Sequence, residues 1–167
     1  MRFRYIPSAR TTSICWIPQR LLDSATALAS HWRPFEVGGV IAGYWNGNSA
    51  VITECVGPGT EATHHSTFFI PDHQFHIREI ERIYAASNGR DVYLGDWHSH
   101  PAGPATLSAL DKLTLQSIAK DKDAQCPRPV MLLFAEAGFA WSIHAFTLAD
   151  PRWMRPRKVL PMGIRVF

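Results

Sequence analysis

The fold of this chain is indicated most directly by two short segments, GDWHSHP at residues 95–101 and SALD at residues 108–111. His98 and His100 are two positions apart at the end of a run typical of a strand, so their side chains project from the same face. The proline that follows ends the strand, and the next residues are small and turn-prone. The serine that opens the second segment is a good helix N-cap, which places Asp111 in the first helical turn. We therefore expect two imidazoles and one carboxylate to face one another.

Two nitrogens and one carboxylate oxygen form a ligand set suited to catalytic zinc. A catalytic site has three protein ligands and a fourth position open to water, whereas a structural site has four protein ligands. Zinc lowers the pKa of its bound water to about 7, and a nearby carboxylate can then take a proton as the water attacks a carbonyl. His98, His100 and Asp111 therefore predict one Zn²⁺ per chain with water as the fourth ligand. A His-x-His pair alone is weak evidence, because two histidines at a strand end can simply be exposed.

The rest of the chain alternates strand-like and helical patterns. Strands are predicted over residues 12–17, 38–45, 50–56, 91–98, 129–135, 139–146 and 162–166, and helices over 18–30, over 73–87 and from Ser108 onwards. Asn46-Gly47-Asn48 is a hairpin signal, and residues 57–66 are predicted to form a polar loop. This order predicts an α/β fold in which helices sandwich a mixed, mostly antiparallel β-sheet. Without repeats or linkers, residues 1–167 are expected to form a single domain.

Composition excludes several classes of protein. Apolar residues make up 46% of the chain and charged residues 19%, which favours a globular domain over a disordered chain. No apolar run is long enough for a membrane span and the start lacks a secretory signal, so we expect a cytoplasmic protein. Cys15, Cys55 and Cys126 form no Cys-x-x-Cys pair and are interpreted as buried or half-buried apolar residues.

The net charge of +3 is mild, and much of the positive excess lies near the two ends of the sequence. These basic residues are Arg2, Arg4, Arg10, Arg152, Arg155, Arg157 and Lys158. They carry no interleaved aromatic residues and no recognition helix, so no nucleic-acid partner is expected. A solvated basic edge is the simpler interpretation, and attraction of an acidic protein partner is the alternative.

The motifs quoted above resemble the signature of the JAB1/MPN/Mov34 metalloproteases, the JAMM peptidases. That signature is a Glu, then His-(Ser/Thr)-His-Pro, then Ser-x-x-Asp after a short loop. EVGGVIAG at residues 36–43 resembles the family's first strand, where a Glu precedes a glycine-rich apolar run, and Gly95 and Trp97 also match. The resemblance covers roughly residues 12–146, and it implies a JAB/MPN fold with a cytidine-deaminase-like layer arrangement.

Carried over residue by residue, the resemblance implies a role for each matching position. His98, His100 and Asp111 become zinc ligands, and Glu36 becomes the general base bonded to the zinc water. Ser108 becomes a donor of a hydrogen bond to the oxyanion of the tetrahedral intermediate, although it could act as an N-cap alone. The simpler alternatives are that Glu36 is exposed to solvent ahead of the strand, and that Asp111 is an acid favoured in the first helical turn by the helix dipole.

The resemblance also implies a reaction and partners. It implies cleavage of an isopeptide or peptide bond after the C-terminal glycine of a ubiquitin-like protein, as in stand-alone bacterial JAB peptidases encoded beside E1-like and E2-like enzymes in anti-phage operons. Processing of a sulfur-carrier protein and a non-catalytic MPN interaction scaffold are alternatives, although scaffolds typically lose a metal residue. A zinc deaminase would need Cys-x-x-Cys and His-x-Glu, and neither is present.

Several other residues near these motifs receive no catalytic role. His64, His65, His73 and His76 are interpreted as surface or partly buried histidines rather than a second metal site. Asp96 is not assigned as a ligand, because its side chain is expected to alternate away from the neighbours of His98. Ser99 is expected to be structural on the opposite face of the strand, and Trp97 is expected to pack in the core.

Overall fold

The computed structural model describes residues 13–138, 140–150 and 157–167. It contains three helices, α1 (Gln19–His31), α2 (His73–Ala86) and α3 (Ala109–Lys120). Its strands are β1 (Ile14–Ile17), β2 (Gly38–Asn46), β3 (Ser49–Cys55), β4 (Thr63–His64), β5 (Phe69–Ile70), β6 (Val92–His100), β7 (Val130–Ala137), β8 (Ala140–Leu148) and β9 (Val159–Val166). The basic residues Arg2, Arg4, Arg10, Arg152 and Arg155 lie outside the described residues, as do the predicted strand positions Thr12 and Phe139.

Seven strands form one mixed sheet in the order β1-β3-β2-β6-β7-β8-β9, which closes on itself. Four of its neighbouring pairs are antiparallel, namely β2 with β3 and β6, and β8 with β7 and β9. Three pairs are parallel, namely β1 with β3, β1 with β9, and β6 with β7. The predicted mixed, mostly antiparallel sheet is confirmed. Its closure through the parallel pairing of the first and last strands was not predicted.

Helices pack on both faces of this sheet. Leu21, Leu22, Ala25 and Ala29 of α1 join a core that includes Leu132 and Phe134 from one face of β7. Leu115 of α3 packs with Met131 and Leu133, the alternate residues of the same strand, and Ile83 of α2 packs with Val40 and Ala42 of β2. Since neighbouring strand residues point to opposite faces, α1 covers one face of the sheet while α2 and α3 cover the other.

A bulge in β6 sets which face its histidines occupy. Ile41 pairs with Gly95 and the next residue of β2 pairs with Tyr93, so Leu94 is an extra residue in the ladder. Gly95 has a φ of 136°, and a Cβ built there would lie 2.0 Å from the carbonyl oxygen of Val130. Only glycine suits such a position. After the bulge, Trp97 faces the α1 core, and the residues on either side of it face α2 and α3.

The glycines of β2 serve close packing within the sheet. A Cβ on Gly39 would lie 2.0 Å from the carbonyl oxygen of Val56 and 2.8 Å from the indole nitrogen of Trp97. The close approach that glycine permits here is therefore made by the protein's own backbone. It lets the ring nitrogen of Trp97 donate a hydrogen bond of 2.8 Å to Val56.

Residues 57–66 are not simply a polar loop. Thr63 pairs with Ile70 and His64 with Phe69 to form a two-stranded sheet of β4 and β5 beside the main sheet. Two residues per strand are too few for a sequence pattern, because strand periodicity needs at least four. This hairpin lies beside the start of β2, where it contacts Glu36, the predicted base.

The remaining sequence-based predictions concern burial and the membrane. Cys15 and Cys126 are buried and Cys55 is half-buried, and all three are free thiols, as expected. Burial raises the pKa of each of these thiols to about 12, so they are inert at neutral pH. Among the described helices, none is both long and apolar enough to cross a membrane.

Candidate metal centre

The structure brings His98, His100 and Asp111 together on the α2/α3 side of the sheet. The Nε2 atoms of the two histidines are 3.1 Å apart. Oδ1 of Asp111 lies 3.3 Å from Nε2 of His98, and Oδ2 lies 3.5 Å from Nε2 of His100. Both imidazoles are buried, and the carboxylate is half-buried. Within the described residues, this is the one group of three or more His, Cys, Asp or Glu side chains whose donor atoms cluster within 4.8 Å.

The spacing of these atoms fits a tetrahedral zinc site. Zinc–nitrogen bonds of about 2.0–2.1 Å at a tetrahedral angle separate neighbouring ligand atoms by roughly 3.3–3.4 Å. The separations of 3.1 Å between the two Nε2 atoms, 3.3 Å from His98 Nε2 to Oδ1 of Asp111 and 3.5 Å from His100 Nε2 to Oδ2 are all close to that value. Two imidazole nitrogens and one carboxylate oxygen also match the donor types of zinc sites that keep an open position. The three side chains are therefore candidate ligands for one metal ion.

Hydrogen bonds outside the ligand set hold two of these side chains in place. Nδ1 of His100 lies 3.1 Å from the carbonyl oxygen of Pro104, to which it donates, so the lone pair of Nε2 faces the cluster. Oδ2 of Asp111 accepts a bond of 2.7 Å from the backbone N–H of Ser108, and the Ser108 hydroxyl accepts one of 3.1 Å from the Asp111 N–H. This reciprocal capping box starts α3 and holds the Asp111 carboxylate beside the histidines.

The charge state of Asp111 suits a metal ligand. Burial raises the pKa of its carboxyl, but the close approach of the His100 and His98 imidazoles outweighs burial and leaves the pKa well below its ordinary value. The carboxylate is therefore ionised at neutral pH, as coordination requires.

Glu36 lies just before β2, whose Gly38 pairs with His98. Its side chain lines the same cleft as the three clustered residues. Burial raises the pKa of the Glu36 carboxyl, and the charges of His100 and His98 oppose that effect only partly. A raised pKa brings a carboxylate closer to the range in which it exchanges protons near neutral pH.

The backbone of Glu36 is held on both sides by the β4–β5 hairpin. Its N–H donates a hydrogen bond of 2.7 Å to the carbonyl oxygen of His65, and its carbonyl oxygen lies 2.9 Å from Nδ1 of His64. The ring of His64 stacks on Trp32 with centroids 3.5 Å apart. His64 was interpreted as a surface or partly buried histidine, and its half-buried ring agrees with that interpretation. Its contact with Glu36 spans 28 positions, and no sequence motif could have indicated it.

A cleft of about 1080 Å³ extends from the metal centre between α2 and α3. Asp96 borders the site and is outside the ligand cluster, as expected, but it lines the cleft together with His98 and His100 instead of alternating away from them. The reason is the two-residue period of a strand, which places residues 96, 98 and 100 on one face. The same alternation, applied to Asp96 as it was to the histidines, would have predicted that Asp96 lies on their face of the strand.

The neighbouring motif residues have structural roles. Trp97 is 1% exposed and packs edge-on against Phe134, as predicted for a core residue. The Ser99 hydroxyl is buried and accepts a hydrogen bond of 3.0 Å from the N–H of Val37, which confirms its structural interpretation. Nε2 of His76 is bonded to the carbonyl oxygen of Gly57 at 2.8 Å, so this ring fastens α2 to the loop before the hairpin.

Comparison with known proteins finds relatives that are described as a metalloprotease or as isopeptidases. The chain is 38% identical over 135 residues to the "Probable metalloprotease y4qB" of Sinorhizobium fredii. The aligned residues cover 80% of this chain and 82% of that protein. It is 33% identical over 72 residues to a "CD-NTase/cGAS isopeptidase" of Escherichia coli, covering 43% of this chain and 46% of the relative. A protein with the same description from Enterobacter hormaechei is 28% identical over 102 residues, covering 59% and 54%.

A solved structure shares the fold. The solution structure of protein DSY2949 from Desulfitobacterium hafniense superimposes with a TM-score of 0.68 over 92% of each chain, at 21% identity.

The family model described as prokaryotic homologs of the JAB domain matches residues 18–146, which include Glu36, Ser108 and the three clustered residues. The chain therefore belongs to the family of prokaryotic JAB-domain proteins.

Proposed function

We propose that this protein is a zinc-dependent isopeptidase or peptidase that cleaves after the C-terminal glycine of a ubiquitin-like protein. The observation that carries the proposal is the convergence of His98, His100 and Asp111, at zinc-ligand spacing, in a cleft that Glu36 also lines. The metalloprotease and isopeptidase descriptions of the relatives support the same class of hydrolase.

Each side chain has a role in the proposed hydrolysis. Zn²⁺, when bound, supplies Lewis acidity that polarises the scissile carbonyl and acidifies water. Glu36 takes a proton from the attacking water and passes it to the departing amine, which its raised pKa favours. Ser108 uses its hydroxyl oxygen to accept from Asp111 and keeps its hydroxyl hydrogen free to stabilise the developing oxyanion.

The surroundings of the centre suit a protein substrate with an extended tail. Phe68, Ile77 and Leu110 line the cleft, and each is at least 39% exposed. Exposed apolar side chains grouped around a cleft are typical of a binding surface. β5 belongs to a sheet of only two strands at the same cleft, so a glycine-ended tail could add to it as a further strand.

The proposed biological setting is a bacterial conjugation system. The relatives described as CD-NTase/cGAS isopeptidases support isopeptidase activity. As the family resemblance implies, the protein would act beside E1-like and E2-like enzymes in an anti-phage operon, where it would release a ubiquitin-like modifier from its target or process its precursor. Such a role places the protein in the cytoplasm.

The proposal is tested by incubating the purified protein with ubiquitin-like proteins fused through their terminal glycine to a reporter, with and without a zinc chelator. We expect cleavage after the glycine, identified by intact mass, and loss of cleavage on chelation with recovery on zinc addition. Binding of the fusions without cleavage under any metal condition would instead favour a non-catalytic scaffold.

Replacing Ser108 with Ala separates its two roles. We expect the rate of cleavage to fall by about 10²–10³, the typical effect of losing one oxyanion donor. We also expect a loss of about 1 kcal/mol in the free energy of unfolding, because the N-cap of α3 is removed. Kinetics and thermal melting on the same sample measure both, and a lower melting temperature with an unchanged rate would leave Ser108 as a cap only.

Replacing His64 with Ala tests the positioning of Glu36. Without the bond to its carbonyl, we expect the base to lose alignment and kcat to fall about tenfold or more, since small misplacements of catalytic groups are costly. Zinc content should stay at one per chain, because His64 contacts none of the three ligand residues. The matched control is His31→Ala, at the exposed end of α1. An unchanged kcat, or a fall explained entirely by lost zinc, would remove His64 from this role.

A further inference from the structure

A carboxylate oxygen without a hydrogen-bond donor among the described residues faces the cleft beyond the candidate metal centre. Asp96 precedes His98 by two residues on β6, so the two residues lie roughly 6–7 Å apart along the strand. Oδ1 of Asp96 accepts a hydrogen bond of 2.6 Å from the hydroxyl of Tyr93, whereas Oδ2 accepts from none of the described residues. Among the described residues, every side-chain oxygen that is fully buried has a hydrogen-bond partner, so an oxygen without a partner must be accessible. Oδ2 is therefore open to the cleft that Asp96 lines.

The cleft that Asp96 lines also has aliphatic side chains in its walls. Ile77 and Ile80 of α2, Ile118 of α3 and Met131 of β7 are among its lining residues. This arrangement suits a group with an apolar stem and a polar end.

Apart from its histidines, the ionisable residues that line the cleft are acidic or Tyr93. Glu81, Asp121 and Asp123 are exposed carboxylates that also line it, in addition to Asp96 and the residues of the metal centre. Among the described residues that line the cleft, none is Lys or Arg. Because the whole chain carries a net charge of +3, this negative surface is a local feature. A concave surface of one sign attracts ligands of the opposite sign.

We propose that this part of the cleft binds a lysine or arginine side chain of the substrate tail, and that Asp96 is the residue that selects it. Both side chains have a long aliphatic stem and a cationic head, which match the apolar walls and the open carboxylate oxygen. The inference rests on the proposed peptidase function and adds a preference for a basic residue upstream of the scissile glycine.

The test uses peptides that end in Gly-Gly joined through an isopeptide bond to a fluorescent lysine. The upstream positions are Ala, except that one of them in turn is Arg, Lys or norleucine, which has the length of a lysine stem without the charge. At one position we expect Arg and Lys to give kcat/KM about 10- to 100-fold above norleucine, the typical range for a hydrogen bond to a charged group.

The Asp96→Asn variant keeps an oxygen for the Tyr93 hydroxyl but removes the charge. We expect its ratio of kcat/KM for basic over norleucine peptides to fall to about one, while the Asp23→Asn control on α1 keeps the wild-type ratio. Asp23 is exposed on the helix that covers the other face of the sheet. A wild type without preference at any position, or a preference that survives in Asp96→Asn, would overturn the proposal.

A binding measurement keeps this proposal separate from the peptidase proposal. Fluorescence anisotropy with the product peptides, which end in a free Gly-Gly carboxylate, is recorded on wild type and Asp96→Asn without metal. If no peptide is cleaved but basic peptides bind more tightly to wild type only, the subsite stands and the hydrolytic function fails. If every peptide is cleaved and bound equally, the hydrolytic function stands and the subsite fails.

Discussion

Replacing Glu36 with Gln is expected to lower kcat by about 10²–10⁴, the usual contribution of a general base. The amide has nearly the shape of the carboxylate but cannot accept the proton of the attacking water. The backbone bonds from His64 and to His65 do not involve the altered side chain, so the fold should be kept. Zinc content should remain one per chain, because Glu36 is outside the ligand cluster.

The Glu36 prediction is checked by steady-state kinetics together with elemental analysis of the same preparation. Glu54→Gln, a partly exposed acid on β3, is the matched control and should retain wild-type kcat. Full activity in Glu36→Gln would show that another group acts as the base. A large loss of zinc in the same variant would assign Glu36 to the ligand set instead.

Removing a ligand side chain is expected to abolish both metal binding and turnover. His98→Ala leaves two protein ligands, so we expect zinc occupancy after dialysis to fall well below one per chain and cleavage to become undetectable. His31→Ala is the matched control, since that imidazole lies outside the cluster. Occupancy near one in His98→Ala would contradict the assignment.

Asp111 requires two variants, because its carboxylate also accepts the capping bond from the N–H of Ser108. Asp111→Ala loses both functions, whereas the amide oxygen of Asp111→Asn can still accept the capping bond. We expect both variants to lose zinc and only the alanine variant to lose clearly more thermal stability. Zinc retention by Asp111→Ala would exclude the carboxylate as a ligand.

Much of the fold could be predicted because its longer elements carry clear local signals. The apolar stripe after Pro18, the N-cap at Ser108 and the Asn-Gly turn at Asn46 gave helix and strand positions that agree with the structure to within a few residues. Closure of the sheet through β1 and β9 could not be predicted. It depends on a parallel pairing between the two ends of the sequence, such as Cys15 with Ile164, that leaves no local pattern.

The clustering of the candidate site could be anticipated because it depends on short-range geometry. Strand alternation aligns His98 with His100, and the capping box fixes Asp111 three residues after Ser108. The two side chains that were missed differ in kind. Asp96 follows from the same alternation, applied one step earlier, whereas His64 reaches Glu36 only through a hairpin too short to recognise. The catalytic roles of Glu36 and Ser108 stay predictions until their variants are measured.

The most direct test of one metal held by two imidazoles and a carboxylate is anomalous diffraction from zinc-loaded crystals, recorded on both sides of the zinc absorption edge. We predict a single strong peak per chain, enclosed by Nε2 of His98, Nε2 of His100 and Oδ1 of Asp111. A peak bound by other side chains, or fully loaded crystals without a peak among these three atoms, would contradict the proposed centre and the hydrolysis that depends on it.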